Sequence, residues 1–194
     1  MAADAEGNDI GLIGIPVTGF LAWAPLPLAS ILTPEEGASL SLVLDPAWSK
    51  VGLIKQDGGF DWTGEANGDA IEFWQEGYSE PTGLANVSIA TTLAEHKAKN
   101  QELLYGVAPD SFGSTDIEEA SNGKRVGLFS HEVFKSGWIR RRLMPNVGVQ
   151  TVKLDKSERG SVQGQAVTFK VDRASQLGMK HYRQWIIPPV PVTP

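Results

Sequence analysis

The second half of this chain is divided into short segments, separated by turn residues, in which side chains tend to alternate between polar and apolar. The predicted strands span residues 124–134, 137–144, 147–154 and 163–171. Pro145-Asn146 and residues 157–160 provide turns between them. Successive side chains of a strand point to opposite faces, so this pattern favours strands over helices. The 21 glycines and 12 prolines are also typical of a fold with many turns. The sequence therefore predicts a mainly β chain, as a sandwich or a barrel.

The middle of the chain predicts a hairpin, a further strand and one helix. Val51 to Trp62 surround the turn sequence Asp57-Gly58-Gly59, which predicts a hairpin over residues 50–63. Residues 84–92 alternate and predict a half-buried strand. Thr92 to Glu95 has the spacing of a capping box, so a helix is predicted over residues 93–105, with Gly106 ending it in the left-handed conformation.

The length of 194 residues, 41% of them apolar, suits one domain with extensions. We expect an N-terminal arm over residues 1–33, a β domain over residues 34–185 and an extended proline-rich tail over residues 186–194.

Residues 10–34 carry no charge and include several large apolar side chains. Prolines and glycines within the segment oppose a transmembrane helix, and its flanks are acidic, so we expect no membrane span. Such a segment must enter the core of the domain or be covered by another subunit. If it is an arm, deletion of residues 1–33 leaves a folded monomer that cannot polymerise. The candidate subunit contacts in it are Leu12, Ile13, Ile15, Val17, Phe20 and Trp23.

Charge is unevenly distributed along the chain. Residues 1–122 hold 19 acidic and 4 basic residues, whereas residues 123–194 hold 4 acidic and 13 basic residues. Opposed charges on one molecule favour head-to-tail association of identical subunits. The acidic residues recur about every four positions along an excursion over residues 56–82, which is either a solvated loop or an interface. Its candidate contacts are Asp57, Asp61, Glu65, Asp69, Glu72 and Glu76.

Arg140, Arg141 and Arg142 form the most basic run in the chain. In an alternating strand they project to two faces, so they do not make a continuous track for nucleic acid. Guanidinium groups pair well with carboxylates, so the predicted partner of this run is the acidic excursion of an adjoining copy.

The sequence contains no pattern that points to catalysis. There is no cysteine, and the three histidines lie outside any recognisable nucleophile, metal-binding or nucleotide-binding motif. We therefore expect no enzymatic activity, no metal and no cofactor. The absence of cysteine suits a protein that matures in a reducing cytoplasm.

The order of several short motifs resembles a phage protein family. These motifs are Val51-Gly-Leu-Ile-Lys-Gln-Asp-Gly-Gly-Phe60 with Trp62, Ile71-Glu-Phe-Trp74 with Gly77, Thr91-Thr-Leu-Ala-Glu95, Leu104-Tyr105-Gly106 and Arg141-Arg-Leu-Met-Pro-Asn146. Over residues 45–175 the chain resembles the major tail protein, or tail tube protein, of long non-contractile-tailed phages that infect actinobacteria.

This resemblance implies a fold and an assembly. Two packed β-sheets with a flanking helix would form each subunit, six subunits would close into a ring, and inward strands would join into one continuous barrel. Rings would stack through an N-terminal arm and a long loop. The implied partners are further copies of the chain, a tape measure protein, the tail terminator and distal tail proteins, and double-stranded DNA that passes without specific binding. The implied location is the virion, after synthesis in the host bacterial cytoplasm.

Two alternatives remain at this point. A tail terminator or head decoration protein would stop at a single ring or at capsid sites. A carbohydrate-binding β-sandwich would use Trp48, Trp62 and Trp74 as stacking faces. Electron microscopy separates them, because rods, single rings and monomers are the three expected forms.

Overall fold

The computed structural model describes residues 5–66, 68–80, 85–118 and 124–189. The chain is mainly β, with 41% strand and 11% helix, and its large antiparallel sheet is consistent with a β-sandwich. The predicted fold class is therefore confirmed. The strands are β1 (Pro16–Pro25), β2 (Ser49–Lys50), β3 (Asp61–Ala66), β4 (Ile71–Glu72), β5 (Ser79–Glu80), β6 (Ala85–Leu93), β7 (Arg125–Phe134), β8 (Ile139–Leu154), β9 (Gln165–Val171) and β10 (Arg183–Ile187). The helices are α1 (Pro34–Ala38) and α2 (Ala98–Tyr105).

The long strand β8 organises the sheet. The strand order is β2-β1-β7-β8-β9-β6-β3, and β10 also pairs with β8. The first part of β8, from Ile139 to Leu143, pairs with β10, and its last part, from Val147 to Leu154, pairs with β9. The strands thereby form two layers that share β8. The first layer holds β2, β1, β7 and β10, and the second holds β9, β6 and β3.

Residues 51–58 join the two layers at their other margin. The amide of Val51 donates to the carbonyl of Leu21 in β1, at 3.0 Å, and the amide of Lys55 donates to the carbonyl of Thr92 in β6, at 2.9 Å. These bonds satisfy backbone groups that a sheet edge would otherwise expose. The segment predicted as a hairpin is therefore a connection between layers, since β2 pairs with β1 whereas β3 pairs with β6.

Apolar side chains form two clusters. The larger one fills the space between the layers, where Trp23, Phe169 and Leu103 of α2 are almost fully buried. The smaller one lies on the outer face of the first layer, around Phe129 and Trp185, and is covered by side chains from residues 31–48. Burial of this kind contributes roughly 25 cal/mol per Å² of apolar surface, which makes these clusters the main source of stability.

The predicted strands at residues 124–134, 84–92 and 163–171 correspond to β7, β6 and β9. The predicted turn at Pro145-Asn146 is wrong, because β8 runs through it. The register between β7 and β8 shifts at this position, and a bulge accommodates a proline that cannot donate a hydrogen bond. The amide of Asp172 donates to the carbonyl of Asn146 at 2.9 Å, so the bulge also anchors the chain after β9.

The predicted helix starts too early. Residues up to Leu93 belong to β6, and α2 begins at Ala98. Glu95 forms no capping box; its carboxylate accepts a hydrogen bond from the amide of Leu53 at 2.6 Å. Gly106 ends the helix with φ of 77°, in the left-handed conformation that was predicted.

The two predicted extensions, residues 1–33 and 186–194, both contain strand residues. β1 is an inner strand between β2 and β7, so residues 16–25 are part of the sheet and not of a separable arm. At the other end, β10 continues to Ile187, which is 8% exposed, so the extended tail starts after that residue. Deletion of residues 1–33 would therefore remove an inner strand, so the structure favours unfolding of the subunit over the folded monomer that an arm would leave.

Candidate functional site

The residues before β1, together with its first two residues, form an exposed apolar segment, which we call the N-terminal segment (residues 10–17). A short 3₁₀ turn at Ile10–Leu12 starts it, with the side chain of Asp9 accepting a hydrogen bond from the amide of Gly11. The amide of Lys135 donates to the carbonyl of Ile15 at 2.8 Å, so the segment lies beside the turn between β7 and β8. Its exposed side chains are Ile10 (68%), Leu12 (61%), Ile13 (49%), Ile15 (49%) and Val17 (59%).

The other two predicted contacts of this region lie inside the subunit. Trp23 is 1% exposed and belongs to the core between the layers. Phe20 packs on the smaller cluster, and its ring stacks on His131 with a centroid distance of 4.9 Å. The predicted site thus divides between exposed residues up to Val17 and packed residues from Phe20 onwards. Sequence reasoning missed this division because the uncharged run continues across it.

The six predicted acidic contacts are all exposed. They do not form one stripe. Asp57 lies near Lys55, at 3.8 Å, before β3, whereas Asp69, Glu72 and Glu76 lie beyond the other end of β3. Asp61 and Glu65 project from β3 itself, on one face, since they are four residues apart in a strand.

Beyond β3 the chain forms a small separate sheet, which we call the acidic hairpin (residues 68–80). β4 and β5 pair only with each other among the described residues, and the amide of Phe73 donates to the carbonyl of Tyr78 at 3.2 Å. Its large apolar side chains are exposed: Ile71 (55%), Phe73 (53%), Trp74 (99%) and Tyr78 (69%). The sequence predicted subunit contacts only for the carboxylates here, and Trp74 only as a stacking face for carbohydrate.

Arg140 and Arg142 meet a carboxylate of their own chain. Glu132, on β7, is 4% exposed and accepts hydrogen bonds from both guanidinium groups. The Nη1 of Arg142 lies 3.5 Å from its Oε1, and the Nε of Arg142 donates to Gln184 at 2.7 Å. The guanidinium of Arg142 also lies over the ring of Trp62, 4.1 Å from its centroid. Burial and the charge of Arg140 lower the pKa of Arg142, while Glu132 opposes this effect.

Arg141 points to the opposite face, as the alternation predicted, and is 3% exposed. Its guanidinium donates to the carbonyls of Gly37 and Ser39, at 2.8 and 2.6 Å, and so holds the chain around α1 against the first layer. Its Nε donates to the Nδ1 of His131 at 3.1 Å. Burial lowers the pKa of Arg141. Burial first, and then the charges of Arg141 and Lys50, lower the pKa of His131 to about 4.

Burial opposes the predicted pairing of Arg141 and Arg142 with an adjoining copy, whereas Arg140 is partly exposed and its pairing stays a prediction. Arg141 and Arg142 are buried, and the described partners of all three guanidinium groups lie within the same chain. If these buried guanidinium groups bound a neighbouring subunit, their hydrogen bonds within their own subunit would have to break. That would cost several kcal/mol, because the bonds are shielded from water. More exposed cations elsewhere on the subunit are therefore better candidates for a basic surface that meets a partner.

Exposed cations occur at the end of β9 and on the loop that follows it, which together we call the basic loop (residues 170–182). Lys170, Arg173 and Lys180 are exposed on it. The loop is closed by backbone hydrogen bonds from Ala174 to Lys180 at 3.0 Å and from Met179 to Ala174 at 2.9 Å. Met179 has φ of 62° and a 58% exposed side chain. A left-handed conformation is uncommon for methionine, so the fold holds an apolar side chain outward among cations.

The remaining candidate chemistry is limited. Among the described residues no group of three or more His, Cys, Asp or Glu could hold a metal ion. Trp48 packs edge-on against Phe129, and Trp62 lies beneath Arg142, so of the three predicted stacking faces only that of Trp74 is open. In the described ranges no helix is long and apolar enough to cross a membrane.

No protein-family model matches this chain, and no curated protein matches its sequence.

Proposed function

We propose that this chain is a structural subunit that assembles with copies of itself, and that the assembly is the tail tube of a long non-contractile-tailed phage. One observation carries the proposal. Two separate surfaces, the N-terminal segment and the acidic hairpin, expose nine large apolar side chains at 49–99%. Contiguous apolar patches on a soluble subunit are typical of surfaces that a partner covers.

The two-layer β architecture and the flanking helix α2 support this proposal, because the sequence resemblance implies the same arrangement. Under it, six subunits close into a ring and rings stack into a tube around a tape measure protein. The tail terminator and distal tail proteins bind the two ends of the tube. The net charge of −6 suits a conduit that DNA crosses without specific binding, since a strongly basic wall would retain phosphates.

Microscopy of the purified protein tests this function. Negative staining at increasing protein concentration should show long hollow rods. Single rings without rods would favour a terminator or decoration protein, and a monomer at every concentration would refute self-assembly.

A shortened chain provides the matched control for the N-terminal segment. Removal of residues 1–14 leaves β1 intact and should keep the subunit folded, because that strand begins at Pro16. Rods should then be lost or become short while the far-ultraviolet circular dichroism is unchanged. Rods of normal length from this variant would exclude a role in stacking for residues 10–14 of the N-terminal segment.

A further inference from the structure

We infer that the acidic hairpin of one subunit docks on the basic loop of a neighbouring copy. The inference rests on the proposed self-assembly and names the pair of surfaces that meet. The basic loop takes the role that was predicted for Arg140, Arg141 and Arg142, whose described contacts lie within the subunit.

The two surfaces are complementary in charge. The hairpin carries Asp69, Glu72, Glu76 and Glu80 and no basic residue. The basic loop carries three cations and one acid, Asp172, which pairs with Arg125 and lies 3.9 Å from Lys170, so the loop keeps an excess of positive charge. Opposite potentials of this kind align two partners and accelerate their encounter.

Their apolar groups are complementary as well. Trp74 and Phe73 are exposed on the hairpin, and Met179 is exposed on the loop. A thioether beside an aromatic ring is a favourable contact, and methionine adapts to the shape of its partner. An aromatic residue at the centre of a polar rim is also the usual composition of a binding hot spot.

The loop is built to receive a partner without rearranging. Asn146 donates through its side-chain amide to the carbonyl of Arg173 at 3.1 Å, and His181 contacts the carbonyl of Val171 at 2.9 Å. Together with the backbone bonds around Ala174, these contacts tie the loop to β8 and to the end of β9. A rigid surface loses little conformational freedom on binding.

The strand register shows which ends of the subunit meet. β3 ends at Ala66, opposite Ala85 of β6, and β9 ends at Val171, opposite Val87. The hairpin and the loop therefore leave the second layer at the same end, about two strand spacings apart. A contact between the hairpin of one copy and the loop of the next therefore brings together the same end of both subunits. The N-terminal segment lies beside the turn between β7 and β8, at the Ile139 end of β8, and is available for a different contact.

A second copy is the occupant that the structure favours over the subunit's own hairpin. Trp74 is 99% exposed, so the hairpin does not rest on the basic loop of its own chain. Cross-linking distinguishes the two cases, and the chain contains no cysteine of its own to interfere.

The test mixes two single-cysteine variants, Trp74→Cys and Met179→Cys, under mild oxidation. A disulfide-linked dimer with one chain of each kind is expected in the mixture. Ser161→Cys, exposed on the turn between β8 and β9, replaces Met179→Cys in the control. Equal cross-linking to both positions overturns the inference. So does a bond that forms within one chain of the double variant Trp74→Cys/Met179→Cys at high dilution.

Charge variants give an independent measurement. Lys180→Glu should raise the concentration needed for assembly at least about tenfold, since like charges would face each other. Glu76→Lys should act in the same direction, and the double variant should regain assembly. Lys156→Glu changes a residue on the turn between β8 and β9, at the other end of β9 from the basic loop. It should have little effect on the concentration needed for assembly, because its side chain is 84% exposed in a surface ion pair. An unchanged threshold for Lys180→Glu overturns the inference.

Sedimentation velocity of the unmodified chain separates the two proposals. If the chain never associates, the proposed function fails. If it associates but the Trp74→Cys and Met179→Cys variants do not cross-link, the docking surfaces named here are wrong and self-assembly stands.

Discussion

Replacement of Glu132 tests whether Arg140 and Arg142 stabilise the subunit or bind a neighbouring copy. Its carboxylate side chain is 6% exposed and faces Arg142, 10% exposed, and Arg140, 30% exposed. We predict that Glu132→Gln destabilises the subunit without acting on assembly directly. The substitution keeps the shape of the side chain and removes the charge that neutralises two guanidinium groups.

The size of the effect follows from burial. Removing one partner of a buried ion pair costs about 3–5 kcal/mol, because the remaining charge is left desolvated. The glutamine oxygen still accepts one hydrogen bond, and Arg140 is partly hydrated, which places the expected loss of unfolding free energy near 3 kcal/mol. Replacement of both charges, in Glu132→Leu/Arg142→Met, should cost less than the sum of the single changes, because no unpaired charge of this pair remains.

Urea unfolding followed by circular dichroism measures this, with Glu158→Gln as the control. Glu158 is 57% exposed in a surface pair with Lys156, so its loss should change the free energy of unfolding by no more than about 0.5 kcal/mol. If Glu132→Gln is as stable as the parent chain but no longer assembles, Glu132 acts in the subunit contact, and the interpretation of this cluster as internal is wrong.

Three further predictions concern the first layer. The pKa of His131 is about 4 in the folded chain, against an ordinary value of 6.5. Because the unfolded chain then binds the proton more readily, the free energy of unfolding should fall as the pH drops from 6.5 to 4. The expected loss is about 2 kcal/mol after allowance for the partial exposure of the ring. Replacement by phenylalanine should flatten that part of the stability profile in urea titrations, and an unchanged slope would contradict this origin. Gly37→Ala should cost roughly 1–3 kcal/mol in thermal unfolding, because a Cβ there overlaps the indole of Trp185, and a neutral effect would mean that the ring moves freely. Removal of residues 1–33 should unfold the subunit, whereas removal of residues 1–14 should not, as proteolysis and circular dichroism would show.

Much of the sheet could be predicted because it depends on local pattern. β6, β7 and β9 alternate in sequence, and a strand places alternate side chains on opposite faces whatever its neighbours are. The same rule correctly separated Arg141 from Arg140 and Arg142. It could not name their partners, because Glu132 and the carbonyl of Gly37 approach only when β7 pairs with β8 and α1 packs on the first layer.

The candidate surfaces divide in the same way. The acidic character of residues 57–80 and the apolar character of residues 10–17 are properties of composition, and the acidic side chains of the first region and the large apolar side chains of the second are exposed. The change from exposed Val17 to buried Trp23 lies within one uncharged strand, and only the partners of β1 determine where it occurs. The basic loop was missed because Lys170, Arg173 and Lys180 are spread over eleven residues.

By itself, then, the amino-acid sequence determined that this chain is mainly β, where several strands run, and where charge and apolar surface are concentrated. Only the tertiary structure decided which arginines are internal, which part of the apolar N-terminal region is core, and which cations are presented together. The physical reason is that alternation and turn propensity act between near neighbours in the chain, whereas pairing and desolvation depend on contacts between residues as far apart as Arg141 and Gly37.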